Sequence, residues 1–282
     1  MNAGKEPFAW ILNIGSELTL GITVNTNGAW IARKLSFLGF SVRRILCTPD
    51  DEEAIAVLRE AIRQGVKLVV TTGGLGPTYD DRTLELVSRA LERRLELNKD
   101  ALKFVEEFYK EKGLALTEER IKMAYMPEGA TALKNPIGAA PACIIKAGET
   151  TIICLPGVPK EMQAVFELHV EPLLKEMVPE ARVFEAYLYV EGVPESSIAP
   201  SLKRLVREKP HLYVKTHPLG HEVKGPRLKI HFMLRGAEPK AKEELISAVE
   251  GLRQEAVKLG GSAVYELNYS KDHPSNSSVV RE

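Results

Sequence analysis

The 282-residue sequence has no surplus of either charge: 38 Lys plus Arg stand against 38 Asp plus Glu. Without a global field there is no long-range attraction for a polyanion such as DNA, so any phosphate recognition has to be local. Long apolar runs are also lacking. The longest, such as VKLVVTT and TIICLPGV, are strand-length and far short of the roughly 20 residues that cross a bilayer as a helix. No membrane partner is expected. The N-terminal MNAGKEPFAW leads through an apolar stretch to Asn13, Gly15 and Glu17 without the apolar core and small-residue cleavage site of a secretory signal, so a cytoplasmic protein is expected. Cysteine is scarce. Cys47, Cys143 and Cys154 lie far apart in sequence, each inside an apolar run and none in a C-x-x-C pair. Neither a zinc site nor a disulfide framework is indicated, and all three read as buried small hydrophobes.

What is present is a hydrophobic fraction of 44% in a chain long enough for one large or two modest domains, and we read two. From residue 8 the hydrophobic period alternates. FAWILNIG reads as a buried strand, TNGAWIARKLSFLGF as a helix ending at Gly39, SVRRILC as a strand, and PDDEEAIAVLREAIRQG as a helix ending at Gly65. VKLVVTTG has no alternation, the pattern of a parallel strand covered on both faces. A helix with Leu84, Val87 and Leu91 on one face follows, so the first hundred residues read as repeated βα units of an open α/β sheet. Residues 98–124 break that rhythm with two charged helical stretches. Residues 131–155 then carry β segments with AGET as a hairpin turn, and VPKEMQAVFELHVEPLLKEM closes the unit as an amphipathic helix near Pro179.

The remainder, 179–268, reads βαββαβ, the order of a small ferredoxin-like α+β domain. The tail 269–282 has little apolar content and is expected to be disordered. Domain limits of 1–178 and 179–268 follow.

In open α/β sheets ligands collect beyond the C-terminal ends of the strands. Four loops arrive there in this reading: GSELTLGITVNTNG, TPDDEE, GGLGPTYDD and LPGVPKEM. Each has a plain structural reading. Asp80 or Asp81 is placed to N-cap the next helix, Thr78-x-x-Asp81 resembles a capping pattern, Asp50 and Asp51 likewise precede a helix, and Asn25 and Asn27 suit turns. Four such loops at one edge are nevertheless better explained by a ligand than by capping alone.

Within TTGGLGPTYDDRT, residues 71–83, Gly73, Gly74, Gly76 and Pro77 run directly into the carboxylates of Asp80 and Asp81. Backbone N–H groups of such a turn attract phosphate, whereas two adjacent carboxylates repel it unless a cation stands between. A divalent metal resolves the conflict, since Mg²⁺ takes one or two carboxylates and bridges to substrate phosphates. Glu17, Asp50, Asp80 and Asp81 are the carboxylates in reach, with Asp50, Asp80 and Asp81 as the expected metal set. No Lys-Ser/Thr follows the glycines and G-x-G-x-x-G spacing is absent, so neither a P-loop nor a dinucleotide fingerprint is indicated.

Four blocks, GSELTLGITVNTNGAWIARKL, TTGGLGPTYDDRT, NPIGAAPA and LPGVPKEM, resemble the signature blocks of the N-terminal domain of the CinA family, within the molybdopterin-binding MoaB/Mog superfamily. The resemblance runs in order over residues 8 to about 265. It implies a three-layer α/β domain with a mostly parallel sheet that binds a pterin or nucleotide phosphate, followed by a small α+β domain. It further implies a dimer or trimer, with Mg, Mn or Co as cofactor and molybdopterin as an alternative ligand. CinA-type domains are associated with metal-dependent hydrolysis of ADP-ribose-like pyrophosphates, and a related domain of FAD synthases with FAD hydrolysis. In the molybdopterin branch, the acidic position of the glycine loop, which falls on Asp81, is linked to pterin adenylylation and metal insertion. The ligand-binding set then comprises Gly15, Ser16, Glu17, Asn25, Asn27, Thr72, Gly73, Gly74, Leu75, Gly76, Pro77, Thr78, Asn135, Gly138, Pro156, Gly157, Val158 and Pro159, with Asp80 and Asp81 as the catalytic pair. The sequence departs from the family at Ala140-Pro141-Ala142, where APG is usual, and the nicotinamide mononucleotide amidase activity of the domain that many bacterial members append is not expected of these residues.

Two functions share this cradle: a divalent-metal nucleotide pyrophosphatase, and a protein that holds a pterin without turning it over. A third reading takes the basic stretch 201–232, with His211, Tyr213, His217, His221 and His231, as a nucleic-acid surface. A solvated strand-rich face explains that stretch equally, and His217 and His221 straddle a Pro-Gly turn rather than one helix face. Nucleic acid is not expected as a partner.

Overall fold

A computed structural model describes residues 7–178, 182–221, 225–236, 238–269 and 277–280. The chain divides into two compact units, Met1–Val178 and Pro179–Glu282.

The first unit opens with β1 (Phe8–Ile14), a short α1 (Ser16–Thr19), α2 (Thr26–Phe37), β2 (Ser41–Thr48), α3 (Glu52–Arg63) and β3 (Leu68–Thr72). It continues through α4 (Thr83–Ala90), β4 (Leu95–Leu97), α5 (Lys99–Glu111), α6 (Glu118–Lys122), β5 (Tyr125–Pro127), β6 (Thr131–Leu133), β7 (Ala142–Ala147) and β8 (Thr150–Leu155). It closes with α7 (Pro159–Val165), a π-helical turn at Phe166–Val170 and α8 (Glu171–Met177). The main sheet has the order β2-β1-β3-β8-β7-β6. The pairs β1/β2, β1/β3 and β3/β8 are parallel, whereas β7/β8 and β6/β7 are antiparallel.

Alternate residues of the central strands feed two cores. Trp10, Leu12, Ile14 and Val69 face Leu58 of α3, Val87 of α4 and Val105 of α5. Ala9, Ile11, Leu68 and Val70 face Ile31 and Leu35 of α2 and the Met162–Leu174 stretch of the last helices. Helices therefore cover both sheet faces, the expected three layers, and the uninterrupted burial of β3 follows from its central place.

The second unit consists of β9 (Arg182–Glu191), α9 (Glu195–Glu208), β10 (Tyr213–Pro218), β11 (Arg227–Gly236), α10 (Lys240–Lys258), β12 (Ser262–Tyr269) and β13 (Ser277–Val280). Its strand order is β10-β11-β9-β12-β13, antiparallel throughout. Leaving β13 aside, this is the split-βαβ arrangement. Its core joins Leu188 and Val190 of β9, Ile230 and Phe232 of β11 and Leu245, Val249 and Leu252 of α10.

Of the tail expected to be disordered, Ser277–Val280 pairs with β12, and residues 270–276 and 281–282 lie outside the described residues. One expectation needs correction. Cys47 is exposed, not buried, because β2 is the sheet's edge strand, where Arg43, Arg44 and Ile45 are also exposed. Cys143 and Cys154 are buried, and they are direct cross-strand partners in β7 and β8.

A cleft where four loops meet

The strand order places β1 between β2 and β3, so the connections leaving β1 and β3 diverge to opposite sides and open a crevice at the C-terminal edge. A cleft of about 450 Å³ occupies it, within the roughly 300–1,000 Å³ of small-molecule sites. The loop after β1 contributes Gly15 and Glu17, the loop after β2 Asp50, the loop after β3 Gly73 to Pro77 with Asp80 and Asp81, and the loop after β8 Pro156, Gly157 and Val158. Close backbone approach makes this possible. Gly73 has φ +106°, and a Cβ there would stand 2.1 Å from the carbonyl oxygen of Ile14, so only glycine lets the loop lie against β1.

The remaining expected residues stand behind the lining and hold it. Ser16 donates to Asp50 Oδ2 through its backbone N–H at 2.9 Å and its hydroxyl at 3.0 Å. Asn27 Nδ2 donates to Thr72 Oγ1 at 3.1 Å and to the Gly157 carbonyl at 2.8 Å, while the Thr72 hydroxyl donates to the Pro156 carbonyl at 2.8 Å. Three of the four loops are thereby joined through two side chains. Asn25 caps α2 by accepting from Gly28 N–H at 2.8 Å, and Pro159 is the first residue of α7.

The aspartates divide their labour in a way that spacing alone left open. Asp51 caps α3, accepting from Glu53 N–H at 2.9 Å, whereas Asp50 turns to Ser16 and the cleft. Neither Asp80 nor Asp81 caps α4, whose N-cap is Arg82 without a side-chain hydrogen bond. Instead Asp81 Oδ2 accepts from the Thr78 N–H at 2.9 Å and from the Thr78 hydroxyl, closing the loop on itself. The Thr78 hydroxyl, the Asp80 N–H and the charge of Lys122 hold the Asp80 carboxyl below the usual carboxylate range. Lys122 also donates to the Thr78 carbonyl, which fastens α6 to the glycine loop. No hydrogen bond engages the N–H groups of Gly74, Leu75 and Gly76 among the described residues.

Sequence reasoning missed Glu161, in the first turn of α7, which also lines the cleft. Asn135 holds it: its Nδ2 donates to Glu161 Oε2 at 2.7 Å and to the Ala140 carbonyl at 3.1 Å, while its Oδ1 accepts from Gly138 N–H at 2.9 Å. A Cβ on Gly138 would stand 2.0 Å from Glu161 Oε2. The available signal was a carboxylate inside LPGVPKEM, which spacing did not separate from an ordinary first-turn acid. Ile14, Tyr109, Met123, Ala139 and Ala140 complete the lining and were likewise not anticipated.

Glu17, Asp50, Asp80, Asp81 and Glu161 thus line one cleft, and no Lys or Arg is among its described lining residues. Among the described residues, no three His, Cys, Asp or Glu side chains come together as a ready metal cluster. An all-carboxylate donor set still fits a hard divalent cation whose coordination is completed by substrate oxygens and water.

In the second unit the basic stretch divides between α9, β10 and β11. Lys229 Nζ sits 3.9 Å from the Tyr187 ring centroid, and that ring stacks on His231 with centroids 4.7 Å apart. His231 Nε2 also lies 2.8 Å from Oε1 of the buried Glu185. Aromatic and basic groups here engage one another, as on a self-satisfied sheet face. No helix among the described residues is long and apolar enough to cross a membrane.

A family model described as "Probable molybdopterin binding domain" matches residues 10–176. A protein of Aeropyrum pernix is 45% identical over 259 residues, 92% of this chain and 97% of its own length. One from Pyrobaculum aerophilum is 48% identical over 252 residues, 89% of this chain and 94% of its own length. Among solved structures, CinA of Thermoplasma acidophilum, described as of unknown function, is similar with a TM-score of 0.55 and 38% identity, covering 59% of this chain and 98% of that one.

Proposed function

The chain belongs to the molybdopterin-binding MoaB/Mog superfamily as a CinA-like member, and from that premise we propose that its first unit binds a phosphate-bearing nucleotide or pterin and hydrolyses a nucleotide pyrophosphate of the ADP-ribose or FAD type. The observation that carries this reading is the convergence on one cleft of five carboxylates and a run of glycine-loop N–H groups that, among the described residues, have no hydrogen-bond partner, with no Lys or Arg among the described lining residues. Such a cleft repels a phosphate by itself and takes one together with a divalent cation.

The N–H groups of Gly74, Leu75 and Gly76 bind phosphate oxygens, a role backbone amides of a glycine turn perform without a side-chain charge. Asp50, Asp80 and Asp81 would hold the cation, with Glu17 in the same cleft. A bound Mg, Mn or Co ion would supply Lewis-acid stabilisation of charge developing on the phosphoryl oxygens. Thr78 orients Asp81, and Ser16 orients Asp50. Glu161, fixed by Asn135 through Oε2, accepts a proton from the water whose oxygen bonds to one phosphorus of the pyrophosphate as the bridging P–O bond breaks, leaving AMP and a second phosphate monoester. Incubation with ADP-ribose or FAD and Mg²⁺, Mn²⁺ or Co²⁺ should release AMP; failure to do so with all three metals rules out the hydrolytic reading.

The description of the matched family favours a second reading, non-hydrolytic molybdopterin binding, in which the same loops hold the pterin's phosphate. Retention of molybdopterin without any product from nucleotide pyrophosphates would select it. A cytoplasmic homodimer or homotrimer belongs to the proposal. The exposed Leu20, Ile22 and Val24 between α1 and α2 support association, and light scattering tests it.

A further inference from the structure

We propose that the wall of the cleft formed by Tyr109 and Met123 seats the planar ring of the ligand, a purine or a pterin, and that residues 98–124 build this seat. The inference rests on the reading of the cleft as a phosphate-ligand site and adds where the uncharged part of that ligand goes.

The cleft is chemically two-sided. Glycine N–H groups and carboxylates come from the four strand-end loops, while Leu75, Tyr109, Met123, Ala139 and Ala140 form an apolar side. That side is firm: Leu75, Met123 and Ala140 are 4%, 2% and 9% exposed and belong to the core between the sheet and α3–α5. Tyr109, near the end of α5, is half-buried against the same core. The Arg120 guanidinium from α6 lies 4.1 Å from the Tyr109 ring centroid, and Arg120 is itself tied to the Ala115 carbonyl. Arg120 covers one face of the tyrosine and Phe108 packs edge-on with ring centroids 5.4 Å apart, and the residue so held lines the cleft.

Lys122, two residues further along, donates to Thr78 in the glycine loop. The apolar wall and the phosphate cradle are therefore mechanically one piece. This gives the helical stretch that interrupts the βα rhythm a reason: a phosphate cradle at the sheet edge needs no such elaboration, but a flat heterocycle carried on that phosphate needs an aromatic and thioether surface beside it. Stacking on a clamped aromatic ring suits any planar base, so the wall recognises purine and pterin by their shared shape.

The test compares phosphate monoesters that carry a planar ring with one that carries none. The full chain with Mg²⁺ is titrated calorimetrically with AMP, neopterin monophosphate and ribose 5-phosphate. The wild type should bind the first two more tightly than the third, and the larger gain identifies the preferred ring. Tyr109→Ala should lower the affinity for the preferred ring-bearing phosphate by about 5- to 150-fold, the range that stacking on an aromatic gives on alanine substitution, and leave ribose 5-phosphate unaffected. Tyr109→Phe should restore binding. If Tyr109→Ala does not fold, Tyr109→Leu keeps the apolar volume, removes the ring and should give the same ligand-selective loss. Equal losses for AMP, neopterin monophosphate and ribose 5-phosphate, or no loss for any, overturn the ring seat while leaving the phosphate site standing. A wild type that binds none of the three overturns the phosphate reading and the ring seat with it.

Discussion

Two glycine substitutions with almost the same overlap should have opposite consequences, because different atoms have to yield. A Cβ on Gly73 meets the Ile14 carbonyl oxygen at 2.1 Å, and a Cβ on Gly138 meets Glu161 Oε2 at 2.0 Å. The Ile14 oxygen is main chain at the end of a central strand, and Gly73 has φ +106°. Gly73→Ala therefore incurs left-handed strain of about 1–2 kcal/mol and overpacking of about 1–3 kcal/mol. At roughly 2–4 °C per kcal/mol, the melting temperature should fall by about 4–20 °C.

Gly138 lies outside the left-handed region, and the atom it would strike is the end of a side chain that can swing away. The cost there is the Asn135–Glu161 hydrogen bond. A bond to a charged group contributes about 1.5–3 kcal/mol, and the lower end applies because Glu161 is only half-buried. Gly138→Ala should melt only about 3–6 °C lower, yet lose about 100-fold in activity, as a catalytic group displaced by about 1 Å does. Scanning calorimetry and AMP release from ADP-ribose, read on both variants, decide the matter. Gly138→Ala turning over like the wild type would refute the placement of Glu161 in the chemistry.

Asp51→Ala removes the α3 cap and should cost about 1 kcal/mol with ligand binding unchanged; a binding loss would put Asp51 in the site. Thr78→Val removes the side-chain partner that lowers the Asp80 carboxyl, together with the hydroxyl bond to Asp81. A depressed carboxyl keeps its charge until pH falls through its lowered value, so the acid limb of metal-dependent binding should move to higher pH in the variant, and an unmoved limb contradicts the role of Thr78. A chain cut after Val178 should fold cooperatively and bind AMP, since both cores of the first unit are built from its own residues; a folded product that does not bind would assign part of the site to the second unit.

How much of this was legible in the sequence depends on how local each cause is. Strand and helix periods, the AGET hairpin and the four strand-end loops were readable because glycine, proline and short polar residues mark them directly. Asp51 behaves as its place before α3 suggests, but the turning of Asp50 toward Ser16, 34 residues away, is a tertiary event with no local signature. Glu161 escaped for the same reason, since Asn135, which fixes it, is 26 residues distant. Tyr109 and Met123 sat in a stretch that reads only as charged helix. Their place in the cleft follows from where α5 and α6 pack, which the helical period does not encode. Cys47 was misjudged because an apolar strand run looks alike at the centre and at the edge of a sheet.

The central claim is that a cation reconciles a phosphate with Asp80 and Asp81, and calorimetric titration of ADP-ribose into the wild type and the Asp80→Asn/Asp81→Asn variant, each with Mg²⁺ and with EDTA, tests it most directly. The account predicts tight binding by the wild type only with Mg²⁺, and weaker, EDTA-insensitive binding by the variant through the loop N–H groups. Tight binding by the wild type in EDTA, or stronger binding by the variant than by the wild type with Mg²⁺, would contradict it.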